Sequence, residues 1–273
     1  MAEDLKKIFS NYEKSNFHAH TPFCDGRDEM DSMVVAAIQS GFEIFSFSPH
    51  SPVPIPSPCN MEESAVKRYF EEFESLRERY AGRINLLRSM EIDYLGTEWG
   101  PHTDYFQQLP LDYRLGSVHF IPTSKGELID CDGNYEKFRI NLHKYFHDDI
   151  RYVVEKYYEQ MLGMMEKGGV DIIGHLDKIA SNACGCEAEI DNNHWYEALI
   201  DDAIRLAEKG KYVIEINTKS FENKGRFFPS EIWWDKLIEK DITIVIDSDA
   251  HYAAKVTSGR QEAIEKWKEH LHK

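Results

Sequence analysis

Seven strand-like runs recur along this 273-residue chain: NFHA, EIFSFS, INLLRSMEI, YRLGSV, VDIIGH, YVIEIN and ITIVID. Helix-like segments separate most of them, including EMDSMVVAAIQSGF, EESAVKRYFEEFESLRERYAG, RYVVEKYYEQMLGMMEKGG, NHWYEALIDDAIRLAEKG and PSEIWWDKLIEK, with GRQEAIEKWKEHLHK closing the chain. Such alternation predicts an α/β architecture with a mostly parallel sheet. Ligands of these folds gather at the carboxyl ends of the strands. Residues 93–112 and 121–150 break the rhythm and read as long loops that cover or build a site. The helical aromatics of RYVVEKYY and EIWWDK read as core. No repeat or linker divides residues 1–273, which are expected to form one domain.

Every one of the seven runs ends on polar groups. The first carries His18 and His20, two apart and therefore on one face of a strand. The next four end at His50, Glu91, His119 and His175, the sixth at Asn217, and the last at Asp249 and His251. Asp25 follows the opening pair by a few residues. Six of the twelve histidines thus fall at strand ends; His102, His143, His147, His194, His270 and His272 lie in loops or helix-like segments and read as structural or solvent-exposed.

Six imidazoles and three carboxylates gathered in one mouth would be a costly crowd of desolvated polar groups. Divalent cations resolve it. Nine ligands suit two or three ions with about three protein ligands each, leaving positions for water or substrate. Mixed imidazole and carboxylate ligation favours zinc, manganese or iron over magnesium or calcium. The formal surplus of positive charge left by three such ions suits a phosphate and a hydroxide, and clustered metals activate water and hold phosphoryl oxygens. Metal-assisted hydrolysis of a phosphate ester is the expected chemistry.

Four motifs, HAHTPFCDG with SPH, MEIDYLG, GSVHF, and DIIGHLDK with DSDAH, resemble in this order the polymerase and histidinol phosphatase (PHP) superfamily. They extend from residue 18 to 251. The resemblance implies a distorted (β/α)7 barrel with a trinuclear metal site at the carboxyl ends of the strands. It assigns His18, His20, Glu91 and Asp249 to one metal, bridged by Glu91 to a second held by His119 and His175. Asp25, His50 and His251 would hold the third, with Asp28 and Asp31 as neighbouring alternatives to Asp25. Within the superfamily GSVHF, IIGHLDKI and IEINTK look like the stand-alone L-histidinol-phosphate phosphatases of histidine biosynthesis. A metal-bridging hydroxide is then the expected nucleophile, with Asp249 or His251 as the acid that protonates the leaving alkoxide. For the phosphate, an arginine fork is sought: Arg226 is the first candidate, then Lys219 and Arg151, with Asn217 as a further donor. Phe23, Asp93 and Glu98 are candidates for recognising the amine and imidazole of histidinol. A nucleotide or phosphotyrosine is the alternative substrate, and a metal-binding module without activity the alternative class.

Charge and cysteine content narrow the partners. With 48 acidic against 32 basic residues the net charge is -16, which repels polynucleotides and anionic membranes. No apolar run approaches the roughly 20 residues that span a bilayer. The opening MAEDLKKIFSNYEKS has no apolar signal core, so a cytoplasmic protein is expected. Five scattered cysteines, Cys24, Cys59, Cys131, Cys184 and Cys186, suit a reducing compartment better than a disulfide framework. Cys24 reads as packing beside the ligand loop rather than as a nucleophile, and the CGC at 184–186 as free thiols rather than half of a zinc site.

Overall fold

A computed structural model describes residues 7–273; the first six residues of the amino-terminal stretch discussed above lie outside it. Strands β1 (Ser15–Asn16), β2 (Ile44–Phe47) and β3 (Asn85–Arg88) pair in parallel in that order. A second parallel ladder runs β10 (Ile244–Asp247), β9 (Val213–Asn217), β8 (Ile172–Ile173), β5 (Leu115–Ser117), β4 (Glu91–Asp93). Isolated parallel bridges, Ala19 to Ala250 and His50 to Glu91, link the two ladders just past the strand ends. Neighbouring strands thereby follow one another round a distorted (β/α)7 barrel. The distortion lies in the third run: INLLRSMEI breaks after Arg88, so that β3 belongs to one ladder and β4 to the other.

The helices form the outer layer, and their apolar spacing explains their placement. α1 (Met30–Gln39) buries Met30, Met33, Val34 and Ala37, and α2 (Val66–Arg79) buries Val66, Tyr69, Phe73 and Leu76. Steps of three and four residues put each set on one helix face. α3 (Asp104–Gln108) is a short helix within the 93–112 stretch. The expectation of a loop over 121–150 is corrected: an antiparallel hairpin of β6 (Phe120–Pro122) and β7 (Leu128–Asp130) is followed by α4 (Tyr135–Phe146). Asn134 caps α4 by accepting the Lys137 N–H at 2.9 Å, and the helix buries Phe138, Leu142 and Phe146. That four-residue spacing was a readable signal, diluted by the charged residues around it. α5 (Ile150–Lys167) buries Tyr157 and Tyr158, as expected for core aromatics. α6 (Ala180–Cys186), α7 (His194–Gly210), α8 (Phe221–Lys224), α9 (Trp234–Glu239) and α10 (Arg260–Leu271) complete the layer. Trp234 of α9 is fully buried.

Inside the barrel the two ends differ in chemistry. Phe17, Ile44, Leu87, Leu115, Ile172, Val213 and Val245, with Phe9 and Tyr113, form one buried apolar cluster. Burial of each large side chain contributes about 1.5–3 kcal/mol. The Tyr113 hydroxyl is tied into this floor by Ser46 Oγ at 2.7 Å and by the Phe17 carbonyl. Beyond the floor, toward the carboxyl ends, the inward side chains become polar.

Candidate metal centre

The strand ends deliver their polar side chains to one place. Glu91, buried at the start of β4, is the hub. Its Oε2 lies 2.9 Å from His50 Nδ1, 3.2 Å from His18 Nε2 and 3.7 Å from His20 Nε2. Its Oε1 lies 2.7 Å from His175 Nε2 and 3.3 Å from His119 Nε2. On the far side of the opening pair, His20 Nε2 is 2.9 Å from Asp249 Oδ1. Asp25 Oδ1 completes the mouth, 3.3 Å from His251 Nε2, 3.6 Å from His20 Nδ1 and 3.8 Å from His50 Nε2. Three groups able to hold a metal ion emerge, each with donor atoms within 4.8 Å of one another: His18, His20 and Asp249; Glu91, His119 and His175; His20, Asp25, His50 and His251. His50, Asp93 and His119 form a fourth, overlapping group.

Local backbone geometry aims these side chains. His175 and Asp249 adopt positive φ angles of 26° and 49° directly after their strands. Non-glycine residues seldom adopt such angles, and they collect at functional sites. The loop carrying Asp25 folds back on itself, with the Cys24 and Gly26 N–H groups both donating to the Thr21 carbonyl. A Cβ at Gly26 would stand 2.6 Å from the Thr21 nitrogen, so only glycine allows this close return. Arg27 N–H then donates to the His251 carbonyl at 2.8 Å, locking the Asp25 loop to the seventh strand end.

A second layer of carboxylates sets the imidazoles. Glu215 Oε1 pairs with His18 Nδ1 at 2.6 Å, while its Oε2 accepts the His175 backbone N–H at 2.7 Å and the Asn217 amide at 3.2 Å. Asp93 Oδ1 pairs with His119 Nδ1 at 2.7 Å. Partners of this kind fix the ring orientation and tautomer of a metal-ligating histidine. Sequence reasoning missed Glu215, although YVIEIN places it two residues before Asn217 and hence on the same inward face. Asp93 had been a candidate for substrate recognition; fully buried against His119 and Asn60, it orients the ring instead.

Electrostatics prepare the mouth for cations. Burial works against ionised carboxylates, but His50, His18 and His119 hold Glu91 well below the usual range. Against the same burial, Lys219, His18 and His20 do so for Asp249, and His251 and His50 lower Asp25. For His18 and His119 burial opposes charge, yet Glu215 and Asp93 respectively, together with Glu91, raise both rings well above their ordinary pKa. His20 goes the other way, pushed well below by burial and by His251 and His50.

Buried polar atoms with no hydrogen-bond partner test whether metal fits. Such atoms are rare and normally have a reason. Those found here include His18 Nε2, His20 Nε2, Asp25 Oδ1, His50 Nδ1 and Glu91 Oε2, all in this one mouth. Nitrogen and oxygen donors converging without hydrogen bonds are what divalent zinc, manganese or iron would satisfy. Cys24 is beside them, its Sγ 3.5 Å from His20 Nδ1, but burial pushes its thiol up to about 11 and leaves it neutral.

The remaining sequence candidates divide. Lys219 is at the mouth, its Nζ 3.1 Å from Asp249 Oδ1 and 3.4 Å from His251 Nε2, with 38% of its side chain exposed. Asn217 donates to Asp249 Oδ2 at 3.2 Å. Arg226 is not brought there. Its guanidinium is held by Asp191, contacts Cys184 Sγ at 3.4 Å and lies 3.9 Å from Asp177, which Tyr158 and Tyr196 also bind. Arg151 sits on the outer surface of α5, paired with Glu155 at 2.8 Å and stacked over Trp195. Phe23 packs against Tyr69, and Glu98 is exposed on its loop. Asp28 accepts the Ala253 N–H and Asp31 pairs with Arg79, so Asp25 is the carboxylate that reaches the imidazoles.

Comparison with known proteins finds similarity over nearly the whole chain. The chain is 24% identical over 270 residues to the histidinol-phosphatase of Bacillus subtilis (strain 168), an alignment covering 89% of this chain and 96% of that protein. A Listeria monocytogenes structure assigned as a histidinol phosphatase superposes with a TM-score of 0.80 at 20% identity, covering 91% of this chain and 99% of the other. The histidinol phosphate phosphatase of Lactococcus lactis subsp. lactis, solved with zinc, L-histidinol and phosphate, superposes with a TM-score of 0.68 at 20% identity, covering 94% and 93%. The PHP domain family matches over residues 16–219, a span that carries seven of the nine clustered residues. On that match, with its strand ends converging as described, the chain belongs to the PHP domain family.

Proposed function

We propose that this chain is a metal-dependent phosphomonoesterase that hydrolyses L-histidinol phosphate to L-histidinol and phosphate, a reaction of histidine biosynthesis. The observation that carries the reading is the convergence of five buried, unpartnered donor atoms on one mouth. The activity named for the Bacillus relative and the ligands of the Lactococcus structure supply the substrate. His18, His20, Glu91 and Asp249 would hold one ion, Glu91, His119 and His175 a second, and Asp25, His50 and His251 a third. Two or three divalent ions of zinc, manganese or iron bound there would polarise the phosphoryl oxygens and bring the pKa of water toward about 7.

The chain's own groups supply position and protons. Glu215 and Asp93 keep His18 and His119 turned toward the mouth. Lys219 offers a cation to the phosphate from above Asp249, and Asn217 steadies that carboxylate. Of the two acid candidates, Asp249 is held as a carboxylate by Lys219, His18 and His20 and has no proton to give, which leaves His251, 3.3 Å from Asp25, to protonate the alkoxide. Residues 1–273 act as one unit on a small metabolite. The acidic chain argues against a polynucleotide, and five free cysteines suit the cytoplasm. No described helix is long and apolar enough to cross a membrane.

A phosphate-release panel tests the reading. Purified protein should cleave L-histidinol phosphate in preference to nucleotides and phosphotyrosine, lose activity to a chelator, and regain it with manganese, iron or zinc. Preference for a nucleotide or phosphotyrosine would replace the substrate, and turnover that survives complete metal removal would reject the mechanism.

A further inference from the structure

The two strand ladders join at two seams, and the seams are made differently. Where β3 gives way to β4, main chain meets main chain. The Glu91 N–H donates to the Pro49 carbonyl at 3.0 Å, the Ser51 N–H to the Glu91 carbonyl at 2.9 Å and the Ser89 N–H to the Phe47 carbonyl at 2.8 Å. β1 and β10 each end a ladder, and among the described residues they are joined by the isolated Ala19–Ala250 bridge, where the His20 N–H donates to the Ala250 carbonyl at 2.9 Å. Below that bridge side chains take over, one from each strand. Asp247 Oδ1 accepts the Phe17 N–H at 2.6 Å; Asn16 Oδ1 accepts the Ser248 N–H at 2.8 Å and the Ser248 hydroxyl at 2.9 Å. Each strand thus lends an acceptor to a backbone N–H of the other. Asn16 also donates from Nδ2 to the His18 carbonyl at 2.9 Å. Asn16, Phe17 and Asp247 are fully buried and Ser248 nearly so, so water cannot stand in for a lost acceptor.

This seam runs through one ligand set. His18 and His20 follow β1, Asp249 follows β10, and the three form one of the groups able to hold an ion. Phe17 directly precedes His18, and Asp247 and Ser248 directly precede Asp249. The separations of Asp249 Oδ1 from His20 Nε2, 2.9 Å, and from His18 Nε2, 3.9 Å, therefore depend on how far apart the two strand ends stand. Productive site geometry tolerates displacements of only about 0.5 Å. Glu215 turns the His18 ring; the seam sets where the backbone beneath that ring lies relative to Asp249.

We propose that Asn16 and Asp247 are positioning residues for the candidate metal centre, their reciprocal bonds holding His18 and His20 at the distance from Asp249 that one ion requires. The proposal rests on the metal-dependent phosphatase reading and adds two residues that touch neither ion nor substrate. Asp247→Ala and Asn16→Ala each remove an acceptor, whereas Asp247→Asn keeps one for the Phe17 N–H. Ser46→Ala is the control: it removes a buried hydroxyl that bonds Tyr113 and the Leu87 carbonyl in the apolar floor. Each protein is loaded with zinc, dialysed against a graded chelator series and analysed for metal content, and its thermal midpoint is recorded. D247A and N16A should release one ion per chain at about 10- to 100-fold lower free chelator than wild type, and excess zinc should refill the site. D247N should stay within about threefold of wild type. S46A should lose thermal stability but keep the wild-type release curve. A reciprocal measurement needs no substitution and carries the test should an alanine variant not fold: stripping zinc from wild type should speed amide hydrogen exchange at Phe17 and Ser248 by a larger factor than at Ile172 in the floor. Alanine variants that release zinc as S46A does, D247N that releases it as D247A does, or exchange at Phe17 and Ser248 indifferent to zinc overturns the assignment and leaves the phosphatase reading intact. Wild type that holds zinc yet cleaves no phosphate ester fails the phosphatase reading and leaves the seam result standing; wild type that holds no zinc overturns both.

Discussion

Glu215 shows how much of a site can rest on a residue that never faces the mouth. One carboxylate fixes the His18 ring and the backbone of His175, which belong to different ligand groups. Replacing one of its oxygens by an NH2, which cannot accept, removes the charge and breaks the bond to His18 or those to His175 and Asn217. Glu215→Gln is expected to lower metal affinity about 10- to 100-fold, read as metal content after dialysis against a graded chelator series. Retention of wild-type metal content would show that His18 is held by the barrel alone. Six of the ligand candidates were visible as histidines because imidazole is uncommon and its place at a strand end is informative. Glu215 and Asp93 were less visible, because a carboxylate inside a strand pattern looks the same whether it meets solvent or an imidazole.

Among the elements, the clearest departure from expectation concerns Arg226. Its loop follows β9, whose end does reach the mouth through Asn217, and an arginine there suits a phosphate. The chain instead turns it toward Asp191 and Asp177, behind the mouth, where it joins β8, α5 and α7 through Tyr158 and Tyr196. Taking one partner from a buried ion pair costs about 3–5 kcal/mol. Arg226→Met is accordingly expected to lower thermal stability by about that amount while KM for the phosphate ester stays within about twofold where the protein remains folded. A stable variant with a much higher KM would return Arg226 to the phosphate site. The hairpin and helix within 121–150 were obscured for a related reason: short strands and a charged helix carry little periodic signal, yet Asp130, Asp132 and Lys137 of this segment line a cavity beside His50 and His119.

Over the whole molecule, an apolar floor and a polar mouth share one barrel, divided along its axis. Leu115 belongs to the floor and lies in the strand that leads to His119. Leu115→Ala should cost about 2–5 kcal/mol, measured by denaturant unfolding, without changing the number of metal ions bound. A loss of bound metal in the folded variant would mean that floor and mouth are not separable. The alternation of strands and helices, the polar residue closing each strand and the acidic balance were all legible in the chain, because strand periodicity and side-chain chemistry are local properties. The partners of those residues were not. Whether Arg226 meets phosphate or Asp191, and whether Asp93 meets substrate or His119, depend on where a loop turns after its strand. That direction is set by packing between segments far apart in sequence, and only the folded barrel decides it.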